Sequence, residues 1–230
     1  MLKQEAPISI DVVSDVVCPW CYVGKRNLER ALAGIDGAEV TVRWRPFQLD
    51  PTIPPGGKSR RDYLVEKFGS MERSDALHER LREMGREAGV SFDFAAIKVS
   101  PNTLDAHRVI RWAAADAGAR TQDALVDRLF RLYFEEGRNI GDHQVLIEAA
   151  GAAGMDPKLV ETLLATPADR PEVEEEIATA QKMGVTGVPC FLLEGRYALM
   201  GAQPPDALAD AIVKVSQAKA QGALDEAPSW

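Results

Sequence analysis

The chain has 230 residues, 46% of them hydrophobic, with 27 basic side chains against 35 acidic ones and three cysteines. The resulting charge of −8 argues against nucleic acid or an anionic membrane as the main partner, and no apolar run approaches the roughly 18 residues that a bilayer span needs. Three cysteines do not make a disulfide scaffold, and the opening MLKQEAPISID has no apolar leader core. The expectation is a cytoplasmic protein of one large domain, or one domain carrying an insertion.

The first element is a strand over about residues 7–13, where ISIDVV alternates apolar and polar residues. A helix follows, with Pro19 where a first helical residue tolerates proline. Cys21, Leu28, Ala31, Leu32 and Ile35 fall on one of its faces, and Gly34 or Gly37 ends it. EVTVRWRPF reads as a second strand, with Val40, Val42 and Trp44 on one side, Thr41, Arg43 and Arg45 on the other, and Pro46 closing it. This β-α-β unit puts Cys18 and Cys21 at its strand-to-helix junction.

After the Pro/Gly-rich linker QLDPTIPPGGKS, nearly every segment from about Arg60 to Met183 reads as helix. Ser74, Asn102, Thr121, Asp142 and Asp156-Pro157 are the expected helix starts, and Pro171 opens the last helix of the block. Strand signals return at GVPCFLLEGRYALMG, where two apolar runs flank the turn Glu194-Gly195-Arg196. A final helix begins near Pro205, and GALDEAPSW reads as a frayed tail. Neither flanking piece carries enough sheet to stand alone. Joined, they make a four-stranded sheet with helices on both faces. The expected division is residues 1–55 and 184–220 as one discontinuous domain, 56–183 as a helical insertion, and 221–230 as tail.

The position of Cys18 has a chemical meaning. Free N–H groups and the dipole at a helix N-terminus favour an anion, hence a thiolate, the nucleophile of thiol–disulfide exchange. Cys21 lies within the first turn, in reach of a mixed disulfide at Cys18, and on the inward face. Asp11 and Asp15 are near, but the sequence does not place either against the thiols. Far along the chain, Pro189 opens a strand; a cis Val188–Pro189 bond would present the Val188 backbone opposite Cys18, available to a substrate strand. Zinc needs four ligands, and only Cys190 and one of three histidines are left to complete a site.

The stretches SDVVCPWCYVGKRNLERAL, RPFQLDP, NTLDAHRVI and GVTGVPCFLLEGRYALMGAQPPDAL, in that order over about residues 7–218, resemble the DsbA-type thioredoxin-fold oxidoreductases, and more narrowly their FrnE-like branch. The resemblance implies an α/β thioredoxin fold with a large all-helical insertion, and dithiol–disulfide exchange with neither metal nor bound cofactor. It implies Cys18 as nucleophile, Cys21 as resolving thiol and Pro189 as the cis proline. The motif interior here is Pro19-Trp20, where strongly oxidising periplasmic members carry Pro-His, and the residue after Pro189 is Cys190, where small or β-branched residues are familiar. Pro19, Trp20, Val188, Pro189 and His107 are the candidate substrate-binding residues, Trp20 as an exposed part of that surface. His107 lies either in the core or in the cleft between bundle and sheet.

Expected partners are a disulfide-bearing protein or small thiol, glutathione as a co-substrate, a redox partner that resets the pair, and a second copy of the chain as a homodimer. Two other function classes compete. One is a glutathione-dependent isomerase or transferase of the kappa-class or 2-hydroxychromene-2-carboxylate isomerase type, whose members carry serine at the position of Cys18. The other is a non-catalytic, redox-sensitive binding or chaperone module. Cys190, in the apolar run CFLL, is expected to be an inert, buried thiol.

Overall fold

The computed structural model describes residues 6–35 and 39–224; the alternative helix end at Gly37 and the tail beyond 224 lie outside the described residues. Strand β1 (Ile8–Ser14) leads into helix α1 (Pro19–Ala33) and strand β2 (Val40–Pro46). A two-residue strand β3 (Lys58–Ser59) precedes α2 (Arg60–Phe68) and α3 (Met71–Ala88). Then come β4 (Val99–Ser100), which pairs with β3, and helices α4 (Leu104–Phe134), α5 (His143–Ala152), α6 (Pro157–Leu164) and α7 (Arg170–Lys182). Strands β5 (Cys190–Leu193) and β6 (Tyr197–Met200) and helix α8 (Pro205–Ala220) close the chain.

The main sheet has the order β2-β1-β5-β6 and so draws its strands from both ends of the sequence. β2 runs parallel to β1, as a β-α-β crossover requires, with Ile8 opposite Val40 and Val12 opposite Trp44. β5 runs antiparallel to β1, and β6 antiparallel to β5. In the β5–β6 turn, Glu194 (φ 53°) and Gly195 (φ 65°) both have positive φ, and the Arg196 N–H donates to the Leu193 carbonyl at 3.0 Å. This is the backbone of a type I′ turn.

β1 differs from the alternating pattern. Six of its seven residues are buried, Asp11 and Ser14 included, because a central strand is covered on both faces. The Asp11 carboxylate meets Arg45 Nε at 2.7 Å and an Arg43 Nη at 2.9 Å, which offsets the cost of its burial.

The helical block shares its core with the sheet. Ile10 and Val12 of β1 and Tyr22 of α1 belong to the same apolar cluster as Phe130 and Leu146 of the block. Tyr22 stacks on Phe130 with ring centroids 5.0 Å apart, and its hydroxyl donates to Glu135 at 2.8 Å. Two expected helix starts shift. Ser70, not Ser74, caps α3, accepting the Arg73 N–H at 3.3 Å, while Ser74 faces inward and is fully buried. Either serine has capping chemistry, and the core contact of the Ser74 face decides. The helices expected to start at Asn102 and Thr121 form one element broken at Gly118 (φ 81°, ψ −175°), a conformation that glycine adopts without steric cost. Asn102 still caps it one residue out, accepting the Leu104 N–H at 2.9 Å. Asp142 and Asp156 cap α5 and α6 as expected. Among the described residues, no helix is long and apolar enough to cross a membrane.

Candidate active site

β1 ends at Ser14, and a turn closed by the Cys18 N–H on the Asp15 carbonyl (2.9 Å) aims the chain into α1. Cys18 occupies the N-cap, with an extended backbone (φ −92°, ψ 113°), and Pro19 is the first helical residue. The Cys18 carbonyl accepts the N–H groups of Cys21 (3.0 Å) and Tyr22 (3.3 Å), so Cys21 sits one turn in. Asp15 pins the turn: one carboxylate oxygen accepts the Leu49 N–H at 2.8 Å, and the other lies 3.4 Å from His107 Nε2.

Across from the motif, the Val188–Pro189 peptide is cis. The Cys18 thiol donates to the Val188 carbonyl at 3.7 Å, which joins the two pieces of sequence 170 residues apart. Gly24 makes the approach of α1 to this loop feasible. A Cβ there would lie 3.0 Å from Pro189 Cγ and 3.2 Å from Phe191 Cζ. Sequence reasoning did not single out Gly24, although a glycine inside a helix, about 1 kcal/mol worse than alanine, is a signal of close packing.

Both motif thiols are buried, Cys18 at 3% exposure and Cys21 at 0%, and neither is disulfide-bonded. Burial raises the Cys21 thiol well above its ordinary range, and the hydrogen bond and charge of the neighbouring Cys18 raise it further; the Ser14 side chain and Asp15 backbone act in the opposite sense. Cys190 lies in a separate cluster with Val13, Phe47 and Leu192, whereas Cys18 and Cys21 belong to the main core with Phe191 and Leu193. Successive β5 side chains point to opposite sheet faces, so Cys190 points away from the pair. Burial pushes its thiol up to about 11.

Trp20 sits differently from expectation, and His107 takes the core alternative of its two. Trp20 is half-buried and packs against the main core, because the first turn of α1 is itself covered. His107 is 3% exposed, and its Nε2–H donates to the Phe47 carbonyl at 2.8 Å. Its ring faces Asp15 and the backbone after β2, so it staples α4 to the motif turn. Pro19 follows Cys18 directly, and Val188, the residue before Pro189, faces the Cys18 thiol.

This arrangement is that of a thioredoxin-like redox site, and the family comparison agrees: the DSBA-like thioredoxin domain matches residues 9–213, so the chain belongs to the DsbA-like family and is a thiol–disulfide oxidoreductase. Among individual proteins, it is similar to a probable DsbA oxidoreductase from Streptomyces coelicolor, at 31% identity and a TM-score of 0.81, covering 97% of this chain and 94% of that one. It is 27% identical to the uncharacterized protein YwbO of Bacillus subtilis over 89% of this chain and 96% of the relative. The cytosolic disulfide reductase DsbM of Pseudomonas aeruginosa, solved with GSH, shares the fold at 19% identity and a TM-score of 0.62, covering 94% of this chain and all of the other.

Proposed function

We propose that the protein exchanges disulfides through the Cys18-Pro19-Trp20-Cys21 dithiol, with Cys18 attacking and Cys21 resolving. The observation that carries this reading is the Cys18 thiol at the N-cap of α1, 3.7 Å from the Val188 carbonyl, with Cys21 one turn deeper. The Cys18 thiolate attacks one sulfur of a substrate disulfide; the mixed disulfide forms, and the other substrate sulfur leaves as a thiolate. Cys21 then gives up its proton and attacks Cys18 Sγ. The second substrate thiol departs, and a Cys18–Cys21 disulfide holds the two oxidised sulfurs. The reverse sequence oxidises a dithiol.

The depth of Cys21 suits this order of events, because a buried thiol with a raised pKa waits until the mixed disulfide is beside it. Pro19, Val188 and Pro189 form the substrate contact, with a partner backbone pairing at Val188. Glutathione serves as a co-substrate that resets the pair, and the cytoplasm is its compartment; the name and ligand of the similar DsbM structure support both points. A cysteine at position 18 disfavours the serine-based isomerase chemistry.

The test is turnover of insulin and of glutathione disulfide by two variants. Cys18→Ser should abolish exchange, and Cys21→Ser should accumulate mixed disulfides visible by mass spectrometry. Undiminished turnover by Cys18→Ser would assign the chemistry to another group.

A further inference from the structure

A cavity of about 70 Å³ opens beside Pro19, between the motif turn and helices α2 and α3. Val17 and Pro19 form its motif side, and Leu64, Phe68 and Leu81 contribute apolar wall. Its bases are Arg60, Lys67 and His78, and among the described residues no aspartate or glutamate lines it. In a chain of charge −8, a pocket lined by bases favours an anion locally.

Arg60 is the telling residue. Among the described residues Arg26, Arg45, Arg108 and Arg111 each meet a carboxylate, whereas Arg60 meets none. Its Nε is buried without a hydrogen-bond partner, and its nearest polar contacts, the hydroxyls of Ser100 and Tyr133, are both 3.4 Å from Nη1. The Arg60 side chain is half-buried, and its shielded Nε has no anion beside it to offset its loss of water. Its planar fork matches a carboxylate.

We propose that this pocket receives one arm of a small-molecule disulfide, an apolar chain or ring ending in a carboxylate that pairs with Arg60. The assignment rests on the reading of Cys18 as the attacking sulfur. The cavity admits a group of side-chain size and not a folded segment. Pro19 follows Cys18 directly, so an arm attached to the attacked disulfide enters the pocket within about one residue's reach.

Lipoate and lipoamide are the matched probes: one cyclic disulfide, one apolar arm, and a carboxylate in one against a neutral amide in the other. Cys18 attacks a ring sulfur and opens the ring S–S bond, and the freed sulfur takes up a proton. Cys21 then displaces the second sulfur, leaving a dihydrolipoyl product and an oxidised Cys18–Cys21 pair. Two electrons pass from protein to probe, and no further reagent enters a single turnover.

Reduced protein should react about tenfold faster with lipoate than with lipoamide, the yield of one charge-assisted pair. Arg60→Gln should bring that ratio to about one, and Arg60→Lys should leave it between. Equal rates in the wild type, or an Arg60→Gln loss shared equally by lipoate, lipoamide and insulin, would overturn the assignment. Octanoate and octanamide, which have the arm but no disulfide, test the pocket apart from the chemistry. Ligand-observed NMR should show octanoate binding that weakens in Arg60→Gln, and indifference to charge would overturn the pocket. Failure of both lipoyl probes to oxidise a protein that still prefers octanoate would instead overturn the role of Cys18.

Discussion

Gly24 and Pro189 touch where α1 crosses the start of β5: a methyl group added at Gly24 would come within 3.0 Å of the proline ring. The helix backbone therefore rests directly on the loop that faces Cys18, and that contact limits how far Cys18 lies from the Val188 carbonyl.

Gly24→Ala tests this contact. Alanine is the better helix former by about 1 kcal/mol, but overpacking against Pro189 and Phe191 costs about 1–3 kcal/mol. The expected outcome is a net loss of about 1 kcal/mol in chemical denaturation, together with slower insulin reduction as α1 and Val188 separate. A variant more stable than wild type with undiminished exchange would show that the loop yields freely.

Thiol labelling should be ordered. Cys18 lies at the helix terminus facing the Val188 loop, Cys21 is fully buried with a raised pKa, and Cys190 is raised to about 11. Iodoacetamide at neutral pH should modify Cys18 first in reduced, folded protein, with the other two labelled only slowly. Peptide mapping after short exposure checks it, and Cys21 or Cys190 ahead of Cys18 would reverse the assignment.

Cys190→Ala should leave disulfide exchange within a few fold of wild type. The thiol lies among Val13, Phe47 and Leu192 on the far face of the sheet from the pair, so it contributes packing. Its truncation should cost about 1 kcal/mol. A Cys21–Cys190 bridge in oxidised, folded protein would contradict the separation of the two faces.

His78 makes stability pH-dependent. It is buried and stacks on Phe94 with centroids 4.1 Å apart; burial first, then the charges of Arg60 and Arg82, hold its pKa down to about 4, against a smaller opposing effect of Asp75. Below the ordinary value of 6.5 the unfolded chain takes up this proton before the folded one does. The contribution is complete above pH 6.5 and is lost as pH falls toward 4, by about 1–2 kcal/mol at pH 5. The lowered carboxylates of Glu29, Asp105 and Glu194 act in a more acidic range, below about 4.5. Denaturant titrations from pH 7 to 5 should therefore show a steeper fall in wild type than in His78→Phe, and parallel curves would exclude the effect.

The NTLDAHRVI stretch shows why a legible motif is not a legible role. Asn102 donates to the Ile53 carbonyl at 2.6 Å, and His107 joins α4 to the Phe47 carbonyl. Arg108, wholly buried, donates to the carbonyls of Leu163, Thr166 and Ala168 at 2.6–2.9 Å. These residues fasten the helical block to the sheet and to its own loops. Their partners are backbone carbonyls roughly 50–60 positions away, and a carbonyl has no signature in sequence.

Local rules were enough for much of this protein. Period-2 and period-3.6 apolar patterns placed the sheet strands and most helices, proline at the first helical position located the Cys18–Cys21 junction, and the Glu194-Gly195 turn declared its hairpin. These signals act over a few residues, so the sequence by itself determined them. The tertiary structure decided what depends on distant chain segments meeting: the burial of Asp11 between two arginines, the staple from Asp15 to Leu49, the contact of Gly24 with Pro189, the separation of Cys190 from the pair, and Arg60 in the pocket beside Pro19 with no carboxylate partner among the described residues. Each is a relation of close packing or of buried charge, and its energy exists only once both partners have left water together.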